Sequence, residues 1–180
     1  MFELKKTIAL VGMMGSGKSA VGKLVSSILD VPFRDADLEI ERAAKLTIPE
    51  IFERHGEEFF RDKENQVIKR LLHEKCCILA TGGGAFMNKK IRASIKEQSV
   101  SIWLNADLET LWKRVKHKRS RPLLRTDNPR ETLTNIYIDR FKTYSLADII
   151  IDSNDKSSLE EMANLVIKSL LDRNDLTERA

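Results

Sequence analysis

The chain has 180 residues, of which 42% are hydrophobic and 32% charged, and its 31 basic and 27 acidic side chains give a net charge of +4. This length and composition predict one soluble globular domain over residues 1–180. No apolar run approaches the roughly 20 residues of a membrane helix, and residues 1–6 lead directly into the first predicted strand. We therefore expect no membrane partner, no signal peptide and a cytoplasmic location.

Apolar strand-like runs alternate along the chain with amphipathic helical stretches, which predicts a parallel α/β sheet. The predicted strands span residues 7–11, 32–35, 76–80, 100–104 and 148–151. The predicted helices span residues 18–29, 38–44, 49–52, 57–73, 88–96, 108–116, 130–142 and 159–171. Several of the strands are continuous apolar runs, as expected when helices cover both faces of a sheet. The polar segment 172–180 is expected to fray.

The first predicted strand leads into Gly12-Met13-Met14-Gly15-Ser16-Gly17-Lys18-Ser19, which fits the phosphate-loop pattern G-x-x-x-x-G-K-[ST] at every fixed position. The glycines let successive N–H groups turn towards a phosphate, and the following helix adds the positive end of its dipole. Lys18 can reach the β- and γ-phosphates, and the Ser19 hydroxyl can bind Mg²⁺. A chance glycine turn would not require this strand and helix around it, so the loop predicts a site for a nucleoside triphosphate.

Two carboxylates, Asp35 and Asp37, follow the second predicted strand. The carboxyl ends of parallel strands share one edge of a sheet, so this pair should lie near the phosphate loop. One carboxylate could hold Mg²⁺ through water while the other orients an attacking hydroxyl. Asp37 could instead cap the helix 38–44, and the two roles are compatible.

Three glycines, Gly82 to Gly84, follow the third predicted strand. Glycines at this edge favour close approach of the backbone to a ligand, although a flexible turn into the next helix is the alternative. The preceding Thr81 hydroxyl is expected where a γ-phosphate or a metal-bound water would lie.

Two segments indicate a site that closes over a second substrate. Residues 38–73 carry three predicted helical pieces, more than one crossover needs, with Thr47 and Glu50 spaced as a capping box. Residues 117–129 have little apolar periodicity and are typical of a mobile loop. A helical insert and a lid are the layout of a small-molecule kinase, in which closure excludes water. Elsewhere, Asp107 is placed to cap the helix 108–116.

Basic residues concentrate between positions 113 and 125, where seven occur without an acid. Such a cluster could bind nucleic acid, form a solvated face or act as a cationic flap over a polyphosphate. The flap is favoured because a phosphate loop is present and no aromatic platform accompanies the charges, so we expect no nucleic-acid partner. Arg121 lies in this segment and could swing onto the phosphates. Arg61 and Arg140 are ambiguous alone, since Arg61 could simply pair with a neighbouring glutamate.

Taken together, these motifs resemble the shikimate kinase family, nearly end to end as far as about residue 151 and in the family's order. The resemblance rests on residues 12–19, Asp35-Ala36-Asp37, residues 56–64, Thr81-Gly82-Gly83-Gly84-Ala85, Arg121-Pro122-Leu123-Leu124 and residues 140–148. It implies a P-loop kinase fold of the nucleoside-monophosphate-kinase type, with a central five-stranded parallel sheet, flanking helices and a mobile lid.

The same resemblance implies transfer of the ATP γ-phosphate to the 3-hydroxyl of shikimate, giving shikimate 3-phosphate and ADP, a step of aromatic amino-acid (chorismate) biosynthesis. It places Mg²⁺ on Ser19 with Asp35 as an outer-sphere partner, and it makes Lys18, Asp37 and Arg121 the catalytic residues. The implied ATP contacts are Gly15, Ser16, Gly17, Lys18, Ser19, Ala20, Arg114, Arg121 and Lys156. The implied substrate contacts are Asp37, Arg61, Gly82, Gly83, Gly84 and Arg140. We expect a monomer.

Three other classes of protein compete with this interpretation. A gluconate or nucleoside monophosphate kinase would share the phosphate loop and the lid, but not the combination of both aspartates, the glycines, Arg61 and Arg140. A GTPase would need N-K-x-D and D-x-x-G motifs; residues 88–91 lack the aspartate, and Thr81-Gly82-Gly83-Gly84 replaces D-x-x-G. A nucleic-acid-binding protein would use the basic segment. The adjacent Cys76 and Cys77 have no metal-site spacing and are expected in the core.

Overall fold

Seven strands form two sheets in the computed structural model, which describes residues 2–118, 120–173 and 175–179. The strands are β1 (Phe2–Leu4), β2 (Thr7–Val11), β3 (Phe33–Asp35), β4 (Ile78–Ala80), β5 (Ser99–Ala106), β6 (Ile149–Ser153) and β7 (Thr177–Arg179). The central sheet is parallel and five-stranded, in the order β3-β4-β2-β5-β6. All five predicted strands are therefore confirmed, and all of β2 is buried at the centre of the sheet.

Seven helices and two short 3₁₀ turns connect the described strands. The helices are α1 (Lys18–Leu29), α2 (Ala36–Ala44), α3 (Ile48–Leu72), α4 (Lys89–Gln98), α5 (Leu108–Val115), α6 (Pro129–Tyr144) and α7 (Leu159–Leu171). The 3₁₀ turns are Ala85–Met87 and Pro122–Leu124. The predicted capping box at Thr47 and the predicted cap at Asp107 are both confirmed.

The helices cover the sheet on both faces, which explains the apolar strands. Helices α1 and α7 pack together on one face, around residues such as Leu10 and Val25. Helices α3, α4 and α6 contribute to the other core, around residues such as Leu79 and Ile68. Cys77 is buried and Cys76 half-buried, as expected, but both precede β4, which begins at Ile78.

The structure differs from the sequence interpretation at two helices, α2 and α3. Asp35, not Asp37, caps α2: the helix begins at Ala36, and Asp35 Oδ1 accepts hydrogen bonds from the N–H groups of Asp37 (3.0 Å) and Leu38 (3.4 Å). The two pieces predicted at 49–52 and 57–73 are one helix, α3, interrupted only at Gly56 (φ 80°, ψ 175°). Asp35, two residues before the expected cap, therefore caps the helix, and the Asp37 side chain is not used for capping.

The prediction that residues 172–180 fray is wrong for the described part of that segment, which excludes residues 174 and 180. Strand β7 pairs antiparallel with β1, and Leu176 is fully buried beside Leu4. Both strands have only three residues, too few to show an alternating pattern in the sequence. Among the described residues, no helix combines the length and the apolar character needed to cross a membrane.

Candidate active site

Two adjoining cavities lie at the carboxyl ends of β2, β3 and β4, the edge where parallel sheets bind ligands. The first, which we call the loop cavity, is lined by residues 14–21 with Asp35, Thr81 and Arg114. The second, the arginine cavity, is lined by Arg61, Arg140 and the glycines 82–84, with an apolar wall. That wall consists of Ile48, Phe52, Phe60, Pro122 and Leu123. The two cavities share Met14, Asp37, Gly83 and Arg121.

The phosphate loop has the backbone that its sequence predicts. Gly15 and Gly17 have φ values of 81° and 92°, in the region that favours glycine. A Cβ atom on Gly15 would lie 2.7 Å from Val115 Cγ1, so the loop could not hold its path with a larger residue. Gly17 is the N-cap of α1 and carries no side chain that could occupy the helix's first N–H groups. These donors, with the helix dipole, are therefore available to an anion.

Lys18 is buried beneath this loop, with only 8% of its surface exposed. Its Nζ donates hydrogen bonds to the carbonyl oxygens of Gly12 (2.8 Å) and Met13 (2.9 Å). Burial lowers the pKa of Lys18 to about 8, against the opposing effect of Asp37. The ammonium is held by neutral carbonyls in a poorly solvated position, and an anion in the loop cavity would stabilise its charge.

Ser19 and Asp35 bring two oxygen atoms together at the mouth of the loop cavity. The Ser19 hydroxyl donates to Asp35 Oδ2 at 2.6 Å, while Asp35 Oδ1 is fixed by the start of α2. Hydroxyl and carboxylate oxygens are the hard ligands that Mg²⁺ prefers, so the pair fits the predicted metal site. The Thr81 hydroxyl, predicted near the phosphate, lines the cavity but donates to Leu10 O at 2.9 Å.

Two carboxylate oxygens face the arginine cavity without a partner in the described part of the chain, Asp37 Oδ1 and Glu64 Oε1. Both lie against Gly82, where a Cβ atom would be 2.9 Å from Asp37 Oδ1 and 2.5 Å from Glu64 Oε1. Burial, and then the charge of Asp35, raise the pKa of Asp37, while Lys18 opposes the shift. Burial also raises the pKa of Glu64, against Arg61. Buried oxygens of this kind mark positions for donor groups of a ligand.

Arg61 is fixed by two glutamates on its own helix. Its Nη1 donates to Glu64 Oε2 at 2.8 Å, and its Nη2 donates to Glu57 Oε1 at 3.0 Å. The guanidinium lies against Gly84, where a Cβ atom would be 2.6 Å from Nη1. The suggestion that Arg61 pairs with a neighbouring glutamate is therefore correct, yet the same side chain lines the arginine cavity.

Arg140 reaches the same cavity from α6 and donates to Gly83 O at 3.0 Å. Arg121 lines both cavities and its Nε is buried without a partner among the described residues, so a cation lies at the junction of the two. Arg114 Nη1 donates to Gly15 O at 3.2 Å beside the loop cavity. Together these arginines place positive charge around both cavities.

The structure brings together nearly all of the predicted site residues. Every predicted residue except Lys156 lines one of the two cavities. The Lys156 side chain is exposed, and Ser157, Ser158 and Leu159 line the loop cavity at that position instead.

Glu64 and Tyr144 belong to the site, although neither was predicted to bind a ligand. The signal for Glu64 was its spacing of three residues from Arg61 on a helix, which places both on one face. Tyr144 donates a hydrogen bond to Gly83 O, and it lies four residues after Arg140, one turn along the same helix.

The chain is similar to known proteins over almost all of its length. A family model described as shikimate kinase matches residues 14–171. The shikimate kinase of Ruegeria pomeroyi is 53% identical over 175 residues, which cover 97% of this chain and 90% of that protein. That of Cereibacter sphaeroides is 54% identical over 178 residues, which cover 99% and 89%. The solved shikimate kinase from Acinetobacter baumannii in complex with shikimate has a TM-score of 0.90, at 34% identity and 94% coverage of each chain.

Proposed function

The chain belongs to the shikimate kinase family, and on that premise we propose that it transfers the γ-phosphoryl group of ATP to the 3-hydroxyl of shikimate. The products are shikimate 3-phosphate and ADP. One observation supports this acceptor above all: the arginine cavity holds two guanidiniums and an unpartnered aspartate oxygen beside a phosphate loop. An acceptor with a carboxylate at one end and hydroxyls at the other matches that arrangement.

Arg61 and Arg140 bind the shikimate carboxylate in this proposal. A guanidinium matches a carboxylate with parallel hydrogen bonds, each contributing about 1.5–3 kcal/mol net. Asp37 Oδ1 accepts a hydrogen bond from a hydroxyl of the acceptor, and the glycines 82–84 allow its ring to approach the backbone. The apolar wall covers the remaining carbon surface.

ATP occupies the loop cavity, with its phosphates on the N–H groups of residues 15–20 and Arg114 against the adenine. Lys18 exchanges the carbonyl oxygens of Gly12 and Met13 for phosphate oxygens. Arg121, at the junction of the cavities, contacts the transferred group, and an arginine in this position can contribute on the order of 10³–10⁵ in rate. Lys156 is a further nucleotide contact in this proposal. Its side chain is exposed and does not line the loop cavity, so it would have to move towards the nucleotide.

Ser19 and Asp35 would hold the Mg²⁺ ion, with Asp35 as the outer-sphere partner that the family resemblance implies. Asp35 Oδ1 is bonded to the start of α2, while Oδ2 lies 2.6 Å from the Ser19 hydroxyl. When bound, the ion neutralises charge on the β- and γ-phosphate oxygens. Asp37 orients the attacking hydroxyl and accepts its proton; a raised pKa makes it a stronger base than an ordinary aspartate.

The segment 117–129 acts as the lid, and residues 38–73 form the acceptor-binding insert. Pro122 and Leu123 already contribute to the apolar wall, so closure of this segment would exclude water from the reacting groups. Residue 119 of the proposed lid lies outside the described residues.

The first prediction tests the acceptor. Wild-type protein should release ADP in the presence of shikimate and Mg²⁺, and far more slowly with gluconate or a nucleoside monophosphate. Arg61→Ala should raise KM for shikimate by about 10- to 100-fold, because it removes a charged hydrogen-bonding group. A coupled ADP-release assay measures both effects.

Arg54→Ala is the matched control, because Arg54 lies on the same helix but is 60% exposed and 3.8 Å from Glu50. It should leave KM for shikimate unchanged. Faster turnover of gluconate or a nucleoside monophosphate than of shikimate would overturn the proposed acceptor.

A further inference from the structure

The carbonyl oxygen of Gly83 accepts hydrogen bonds from two side chains of one helix. Arg140 Nη1 donates to it at 3.0 Å, and the Tyr144 hydroxyl donates to it from one turn further along α6. A carbonyl oxygen has two lone pairs, so these two donors satisfy it completely. The glycine turn is therefore attached to α6 at a single atom by two bonds.

The Tyr144 ring is held firmly in the core while its hydroxyl reaches the site. The residue is 1% exposed, and its ring stacks on Phe86 and Trp103 with centroids 6.4 and 5.7 Å away. Burial raises the pKa of Tyr144 to about 12. The hydroxyl therefore keeps its proton, and remains a donor, throughout the neutral pH range.

Gly83 also contacts the phosphate loop on its other side. A Cβ atom on Gly83 would lie 3.1 Å from Met14 N and 3.7 Å from Gly12 O. The position of this one residue thus relates the phosphate loop to Arg140. A displaced Gly83 would change the distance between the transferred phosphoryl group and the bound acceptor.

We propose that Tyr144 is a positioning residue for phosphoryl transfer: it fixes Gly83, and through Gly83 it fixes the Arg140 guanidinium and the glycine turn relative to the phosphate loop. The proposal rests on the function proposed above. Tyr144 does not line either cavity among the described residues, so it acts through Gly83 and Arg140 and not by touching substrate. Its effect should fall on the acceptor and on catalysis, and not on the nucleotide.

Tyr144→Phe tests this, because it removes the hydroxyl and keeps the stacked ring. We expect KM for shikimate to rise about 3- to 10-fold, the factor for one lost hydrogen bond, and kcat to fall. The Kd of ADP without shikimate should change less than about twofold. Tyr137→Phe is the matched control: the same change on the same helix, at a ring that contacts Phe141. Its kinetic constants should equal those of the wild type.

The outcomes separate this proposal from the function on which it rests. An inactive wild type overturns both. An active wild type with unchanged KM and kcat in Tyr144→Phe overturns the positioning role alone. A Tyr144→Phe protein that loses ADP affinity by the same factor as shikimate affinity would show a general structural defect, and would also overturn it.

A second measurement does not require the Tyr144→Phe protein to fold. In Tyr137→Phe, Tyr144 is the single remaining tyrosine, so biosynthetic 3-fluorotyrosine labels that site and retains the hydroxyl. Shikimate binding at Arg140 should shift the ¹⁹F resonance, whereas gluconate at the same concentration should not. A resonance that does not move at saturating shikimate would overturn the proposal.

Discussion

Single residues in the site have ionisation equilibria that binding should change, and Lys18 is the clearest case. Its folded pKa of about 8 lies below the ordinary value of 10.5, because burial disfavours the charged form. Phosphate oxygens favour that form and should raise the pKa again. At a pH between the Lys18 pKa of the free protein and its higher pKa in the complex, nucleotide binding must therefore take up a proton.

This predicts that ADP binding takes up ~1 proton at pH 9 and much less at pH 7, and that ADP affinity falls as pH rises above about 8. Titration calorimetry in buffers of different ionisation enthalpy measures the uptake. Lys18→Met should abolish it, whereas Lys23→Met, on the exposed side of α1, should retain it. Buffer-independent binding enthalpy at pH 9 would contradict the prediction.

The role of a residue could be predicted from the sequence when the residues that indicate that role are close to it along the chain. The phosphate loop is a contiguous motif, so its residues and neighbouring elements followed directly from the sequence. Arg61 and Arg140 were ambiguous until the motifs were taken together, since a single arginine on a predicted helix is usually a surface residue, and Arg61 also has glutamates beside it. Tyr144 was missed because its partner Gly83 is 61 residues away, and one sequence does not reveal such a contact.

At the scale of the element, α3 is shaped by one glycine. Gly56 has φ 80° and ψ 175°, a conformation that other residues rarely adopt, and it separates the start of the helix from Arg61. Ile48 and Phe52, before the bend, and Phe60, after it, line the same cavity. The bend therefore lets both halves of one helix face the acceptor.

Gly56→Ala should lower the free energy of unfolding by about 1–3 kcal/mol through backbone strain. Steric clash is not the cause, because a Cβ atom there meets nothing within 4 Å. KM for shikimate should rise as Arg61 moves relative to the apolar wall. Chemical denaturation and initial-rate kinetics measure the two effects, with Glu58→Ala, an exposed neighbour, as the control. Wild-type stability and KM would show that the bend is dispensable.

Element boundaries show the same dependence on local signals. The capping box at Thr47 was predictable because both partners are three residues apart. The start of α2 was misplaced by two residues because Asp35 and Asp37 are both acceptable caps, and the choice depends on where β3 ends. That ending commits Asp35 to the helix and leaves Asp37 for the cavity.

At the scale of the whole molecule, the two ends of the chain meet away from the site. Leu176 is fully buried in the core that includes α1 and α7, beside the β1–β7 pair. This pairing could not be predicted, because each strand is too short to show a pattern and its partner lies at the opposite end of the chain. Most of the central sheet was predictable because β2, β4, β5 and β6 contain apolar runs, whereas β3 (Phe33-Arg34-Asp35) does not.

Leu176→Ala should lower the free energy of unfolding by about 2–5 kcal/mol, the usual range for a buried leucine. The catalytic constants of the folded protein should not change, because the residue contributes to neither cavity. Leu171→Ala, at a leucine that is 41% exposed, should cost much less. Equal thermal stability of the two variants would mean that the C-terminal segment contributes nothing to the core.

The four residues that line both cavities, Met14, Asp37, Gly83 and Arg121, leave no partition between donor and acceptor. Any change among them alters the surroundings of both ligands at once. Evolution or engineering of a new acceptor preference should therefore change residues that line only the arginine cavity, namely the apolar wall, Arg61 and Arg140, and retain these four. The four shared residues would keep phosphoryl transfer intact while the rest of the arginine cavity changes to fit another acceptor.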